Sequence, residues 1–129
     1  MRFSLVTEAG LNYQDDIDYI VVKNQDGELA ILKDHIPIIV PIHQGHLKCV
    51  KGNQNIYAII EQGVLEFKDN VVSVLSLEAE IGDELVGTKE AFLKMKKDKL
   101  ELTKRENIDF SKQERELKEN IQKSKAGQL

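Results

Sequence analysis

Tryptophan is absent from this chain of 129 residues, cysteine occurs once, and proline twice. A single cysteine, Cys49, rules out both a disulfide framework and a cysteine-built zinc site, and a reducing compartment fits that usage. Aromatic residues make up only 5% of the chain, too few for a base-stacking nucleic-acid surface or a ring-lined carbohydrate cleft. No apolar run approaches the roughly 18 residues of a membrane helix; the longest, residues 36–42, is interrupted by Pro37 and Pro41. Residues 1–6 alternate like a strand and lack the basic start, long apolar segment and small-residue cleavage site of an export signal. The glycines are isolated, and none precedes a Lys-Ser or Lys-Thr pair. A phosphate-cradling loop is therefore excluded, and with it nucleotide hydrolysis by this chain.

What is present is a division. The net charge of −4 conceals two regions of opposite sign. Residues 1–85 hold six Lys or Arg against fourteen Asp or Glu, and residues 86–129 hold twelve against eight. Both prolines and six of the eight glycines fall in the first region, whereas Gly87 and Gly127 sit at the edges of the second. This shift in composition predicts a boundary near residues 82–87.

The first region alternates β-branched and polar residues in short runs at 3–7, 19–23, 28–32, 38–42, 46–51, 54–60, 63–68 and 71–77, which predicts an all-β domain. Gly27 and Gly52 supply turns that need positive φ, and Lys68-Asp69-Asn70 a third. Leu47, Cys49 and Val50 beside Ile56, Ala58 and Ile60 offer inward-facing bulk for a sandwich core. So do Val64, Leu65 and Phe67 beside Val72, Val74, Leu75 and Leu77. The second region predicts two helices. Residues 89–104 carry Ala91, Met95 and Leu102 on one stripe, with Phe92, Leu93 and Leu100 beside it. Arg105-Glu106-Asn107 breaks the pattern, after which Ser111 to Glu114 has capping-box spacing and Phe110, Leu117 and Ile121 mark a second face. The seam of such a hairpin is thin, so the hairpin is expected to be detachable.

Catalytic chemistry finds little support. His43 and His46, with His35 nearby, are the only clustered imidazoles. A separation of three along a strand places two side chains on opposite faces, and Gly45 reads as a turn between them, so no metal site is expected. Asp15-Asp16-Ile17-Asp18 lacks the glycine and final glutamate of a calcium loop and reads as a solvated loop. No catalytic residue is assigned, and function is expected to lie in surfaces. One reading of the basic tail is contact with RNA or an anionic membrane surface.

Residues 27–38, Gly-Glu-Leu-Ala-Ile-Leu-Lys-Asp-His-Ile-Pro-Ile, resemble the Gly-Glu-x-x-Ile-Leu-x-x-His-x-Pro-Leu segment of the epsilon subunit of the bacterial F-type ATP synthase. Gly45-His46-Leu47 stands where that family's Gly-x-Leu opens the next strand. Gly63-Val64-Leu65-Glu66-Phe67, Val71-Val72-Ser73-Val74-Leu75 and Ala79-Glu80 follow its further succession, and Ile108-Asp109-Phe110 sits where many members open the last helix. The resemblance implies a mainly β, α+β chain: a sandwich of about ten strands over residues 1–85 and a regulatory helical hairpin over residues 86–129. It implies a non-catalytic rotor subunit that clamps the gamma subunit and rests on the c-subunit ring, at the cytoplasmic face of the bacterial membrane. There it couples ion translocation to ATP synthesis. The tail would make transient contact with alpha and beta and inhibit hydrolysis. Position by position, Glu28 matches a site near the c ring and His35 one near gamma. Lys112, Arg115, Lys118 and Lys123 are the cations available for inhibitory contact.

The sequence also departs from the family pattern. The family's glycine pair before Phe-Leu-Glu is Gln62-Gly63 here. Its ATP-binding Ile-Asp-x-x-Arg-Ala motif aligns with Val86-Gly87-Thr88-Lys89-Glu90-Ala91, without the aspartate or the arginine. Val86, Gly87, Glu90 and Ala91 therefore weigh against ATP as a regulatory ligand, and no other cofactor is expected.

Overall fold

The structure, a computed structural model, describes residues 1–102. Seven strands form one sheet: β1 (Arg2–Thr7), β2 (Asn12–Asp16), β3 (Tyr19–Asn24), β4 (Gly27–Ile31), β5 (Ile38–Lys51), β6 (Gln54–Lys68) and β7 (Val71–Gly82). Their order is β2-β1-β7-β6-β5-β3-β4, antiparallel throughout except for the parallel pair β1 and β7. A helix, α1, covers residues 85–102.

One bent sheet becomes a sandwich because three neighbouring strands turn at one line. In β5 the inward residues are Val40 and Ile42, then Leu47 and Cys49; in β6 they are Ala58 and Ile60, then Leu65 and Phe67; in β7 they are Val72, Val74 and Ser76, then Ala79. Each sequence changes parity once, at His43, Gln62 and Leu77. These three positions stand side by side, because Ile42 pairs with Gly63 and Gln44 with Glu61, while Gly63 pairs with Ser76 and Glu61 with Glu78. The register continues across the line while the inward face switches, so the sheet folds over without losing its pairing. Layer one holds β2, β1 and the outer halves of β7, β6 and β5; layer two holds the other halves with β3 and β4. Seven continuous strands thus serve as five in each layer, which accounts for the expected ten. A single core lies between the layers, with Phe3, Leu5, Leu65, Phe67, Val72 and Val74 meeting Ile20, Val22, Ile31, Leu47, Cys49 and Ile60.

Two glycines make the fold-over possible. A Cβ on Gly45 would collide with the carbonyl oxygen of Lys23, and one on Gly63 would come within 2.8 Å of Ile60 Cγ2 and 2.9 Å of the Leu75 carbonyl oxygen. Ser76 Oγ lies 2.8 Å from the Glu61 carbonyl oxygen and 2.7 Å from that of Glu78, sharing its proton across the bend.

Several sequence expectations are corrected. Segments 38–42 and 46–51 are one strand, as are 54–60 and 63–68, so Gly45 lies within a strand beside the bend and is not a turn. Asp15 and Asp16 belong to β2 instead of a loop, and Ile17 beyond them is buried. Val64, Leu75 and Leu77 face outward, at 38%, 59% and 50% exposure. The helix begins at residue 85, not 89; among its described apolar residues Phe92 is the buried one, whereas Ala91, Leu93, Leu100 and Leu102 are exposed. The second predicted helix, with Ser111, Glu114, Leu117 and Ile121, lies outside the described residues.

The chain divides into two compact units, Met1–Phe92 and Leu93–Leu129. The opening turns of α1 therefore belong to the sandwich unit. Thr88, 4% exposed, bonds back to Glu84 through its amide (3.0 Å) and its hydroxyl, and its side chain fills the space that a Cβ on Gly82 would need. Asp83 and Glu84 precede the first turn, where negative charge suits the helix dipole.

Candidate interaction surface

The outer face of layer one carries an apolar row. Val6 pairs with Leu75, Leu75 with Val64, and Val64 with Pro41, so four outward side chains run across β1, β7, β6 and β5. Leu77 extends the row past the bend. Where it meets the β1–β2 turn, Val6, Thr7, Gln62, Val64, Leu75 and Leu77 line an open groove of about 460 Å³. Pro41 fits here because the first half of β5 is the edge of layer one; β3 pairs only with residues beyond the bend. A second apolar group, Leu32, Ile36 and Ile39, is exposed around the β4–β5 connection. Soluble domains seldom leave contiguous rows of this kind uncovered, and such a row marks an interaction face.

Glu28 and His35 lie apart. Glu28 is exposed in β4 opposite Lys23, whose other neighbour is His46, so it stands near the bend. His35 lies toward the other end of layer one. Its ring meets the edge of Phe67 with centroids 6.0 Å apart, and its Nδ1 is 2.6 Å from the Ile36 carbonyl oxygen. The adjacent Asp34, at φ 65°, is held by paired bonds with Asn70: its amide donates at 2.8 Å, and its carboxylate accepts at 3.0 Å.

The bend also decides the fate of the histidines. Because the inward face switches between them, His43 and His46 both point away from the core, not to opposite faces, and no turn separates them. Among the described residues, no three His, Cys, Asp or Glu side chains are grouped as metal ligands would be. His46 is held below its ordinary pKa, first by burial and then by the charges of Lys89 and Lys23, with Glu28 opposing. Asp15 is held down chiefly by its 2.8 Å bond from Lys51, and Tyr13 also donates to it at 3.0 Å. Burial pushes the Cys49 thiol up to about 12, which fits a core hydrophobe and not a nucleophile.

Val86, Gly87, Glu90 and Ala91 occupy the exposed side of α1, opposite Thr88 and Phe92. No arginine stands among them. Lys112, Arg115, Lys118 and Lys123 lie outside the described residues. Sequence reasoning missed the apolar row, because adjacent pairs such as Val64-Leu65 and Val74-Leu75 do not say which member points inward.

Known proteins give this surface a context. Residues 1–82 match the ATP synthase, Delta/Epsilon chain, beta-sandwich domain. The ATP synthase epsilon chain of Alkalihalophilus pseudofirmus is 32% identical over 111 residues, covering 85% of this chain and 84% of its own. That of Halalkalibacterium halodurans is 31% identical over 119 residues, covering 92% and 90%. In fold, the chain resembles part of the cryo-EM structure of the Euglena gracilis mitochondrial ATP synthase, OSCP/F1/c-ring, with TM-score 0.55 and 21% identity over 64% of this chain and 54% of that one. It also resembles part of the Tetrahymena thermophila mitochondrial ATP synthase central stalk and c-ring, with TM-score 0.52 and 18% identity over 61% and 64%. With a β-sandwich matched over its first 82 residues and relatives aligned along most of its length, this chain belongs to the ATP synthase epsilon chain family.

Proposed function

We propose that this chain is a non-catalytic subunit of the central stalk, seated between the gamma subunit and the c-subunit ring and turning with them to couple ion translocation to ATP synthesis. The observation that carries the reading is the outward row Val6, Leu75, Val64 and Pro41 on a sandwich of this family. A rotor part needs a broad, rigid face on its partner, and this row lies on four hydrogen-bonded strands. Gamma is assigned to that row, and the polar β3–β4 turn with Glu28 to the c ring. His35 is placed at the far end of the gamma face. The chain is then peripheral to the bacterial membrane, held at its cytoplasmic face through the complex; no helix among the described residues is long and apolar enough to cross a bilayer. Family membership favours this reading over an RNA- or lipid-binding module.

Co-purification with tagged gamma tests it. Val64→Asp with Leu75→Asp is expected to lower recovery at least about tenfold, since desolvating two carboxylates opposes an apolar contact. Both side chains already face solvent, so the fold is retained. Undiminished recovery overturns the assignment of the row. The tail reading is tested separately in the assembled complex by replacing Lys112, Arg115 and Lys118 together with alanine. Exposed ion pairs contribute about 0.2–1 kcal/mol each and are screened by salt, so ATP hydrolysis is expected to rise at low ionic strength and less at high. An unchanged rate in both conditions removes these residues from inhibition.

A further inference from the structure

The longest apolar run of the sequence, residues 36–42, opens β5. Its strand portion, Ile38 to Ile42, is the edge of layer one: β6 pairs with one side, and among the described residues no strand pairs with the other. This portion carries no charge, and Ile39 near its middle is 67% exposed. An uncharged, β-branched edge is a template for a further strand, above all the same strand of a second copy. The outermost strands differ. β2 and β4 are five residues each, with Asp15 and Asp16 in one and Glu28 in the other, and short charged edges resist strand addition.

The β5 edge has blocked backbone groups instead. Pro41 has no N–H to give. Its carbonyl oxygen accepts from Asn24 Nδ2 at 2.9 Å, and the His43 N–H donates to Gln25 Oε1 at 3.2 Å. Residues two apart present their backbone groups to the same side of a strand, so Pro41 and His43 are, with Ile39, the residues a joining strand would meet. Both caps come from the β3–β4 turn, which is held in place for the task. Asn24 Oδ1 accepts from the Asp26 N–H at 2.9 Å, which fixes the direction in which its amide donates. Gly45 lets the turn come close, since a Cβ there would collide with the Lys23 carbonyl oxygen and stand 3.1 Å from Asn24 Cα.

We propose that Pro41, Asn24 and Gln25 seal the β5 edge of layer one and keep it from pairing with the same strand of a second copy. Pro41 withholds a donor, Asn24 occupies an acceptor, and Gln25 occupies the next donor. The seal does not depend on which partner covers the apolar row.

Sedimentation equilibrium of the full-length chain tests it, with urea unfolding read alongside. Asn24→Ala, Gln25→Ala and Pro41→Thr together remove both caps and restore an N–H at a β-favouring residue. The triple variant is expected to self-associate at least about tenfold more tightly than the natural chain. Adding Ile39→Lys is expected to return association to the natural level, because an ammonium on each edge opposes the pairing of two copies. Equal association of the triple variant and the natural chain overturns the seal. Association that Ile39→Lys does not reverse also overturns it, since that is the behaviour of a chain associating through unfolding or through another face.

Discussion

Gln62 holds φ at +54°, a conformation in which an L side chain crowds its own backbone, and it does so at the line where the sheet folds over. The family pattern that this sequence resembles has glycine here, so the departure has a physical content: this chain folds its sheet with a residue that resists the bend. Gln62→Gly is expected to stabilise the protein by about 0.5–1 kcal/mol, the relief at positive φ exceeding the entropy lost by glycine. A urea midpoint that falls would show that the Gln62 side chain contributes more than its backbone costs. Residues with one clear preference were legible in the sequence: Gly27 and Gly52 do take positive φ, at 137° and 57°, and Cys49 is a core residue. Gly45 was not, because a glycine kept for close approach of another strand looks, in one dimension, the same as a glycine kept for a turn.

At the scale of elements, the hairpins were legible and the strand continuity was not. Alternation that breaks at residues 43–45 and 61–63 reads as two strands and a loop, whereas the structure keeps both halves in one ladder and changes only the face turned inward. β2 escaped notice because Asn-Tyr-Gln-Asp-Asp has only Tyr13 as an apolar body, half-buried beside Phe3 with ring centroids 6.2 Å apart. The helix start was misplaced for a related reason: its first buried contact is Thr88, a residue whose composition argues for neither core nor helix. A chain ending after Glu84 loses the buried side chains of Thr88 and Phe92, which belong to the same compact unit as the sandwich, so it is expected to be about 2–4 kcal/mol less stable than one ending after Phe92. Both should remain folded around the core between the layers. Coincident urea curves for the two fragments would refute any contribution of residues 85–92 to the sandwich.

For the molecule as a whole, burial and two nearby lysines, Lys23 of β3 and Lys89 of α1, meet at His46. Its pKa is lowered in the folded chain, so the unfolded chain binds the proton more readily. The stability this group contributes is therefore present above its ordinary value of 6.5 and is lost as the pH falls through the lowered value. Unfolding midpoints measured between about pH 7 and pH 5 should drop more steeply in the natural chain than in His46→Gln. Parallel profiles would mean that other groups carry the acid sensitivity. The fold class was legible because strand spacing and turn residues are local signals. The interaction face was not, since it depends on which of two neighbouring apolar residues the bend turns outward. That bend has a mechanical side. In a sandwich of two separate sheets the layers meet through side chains and the loops that connect them. Here the layers are one plate creased along His43, Gln62 and Leu77, with backbone running through the crease in three adjacent strands. A sideways load on one layer is taken up by covalent chain and paired amides before the core yields, so the piece is stiff in shear and twist and compliant only about its own fold line.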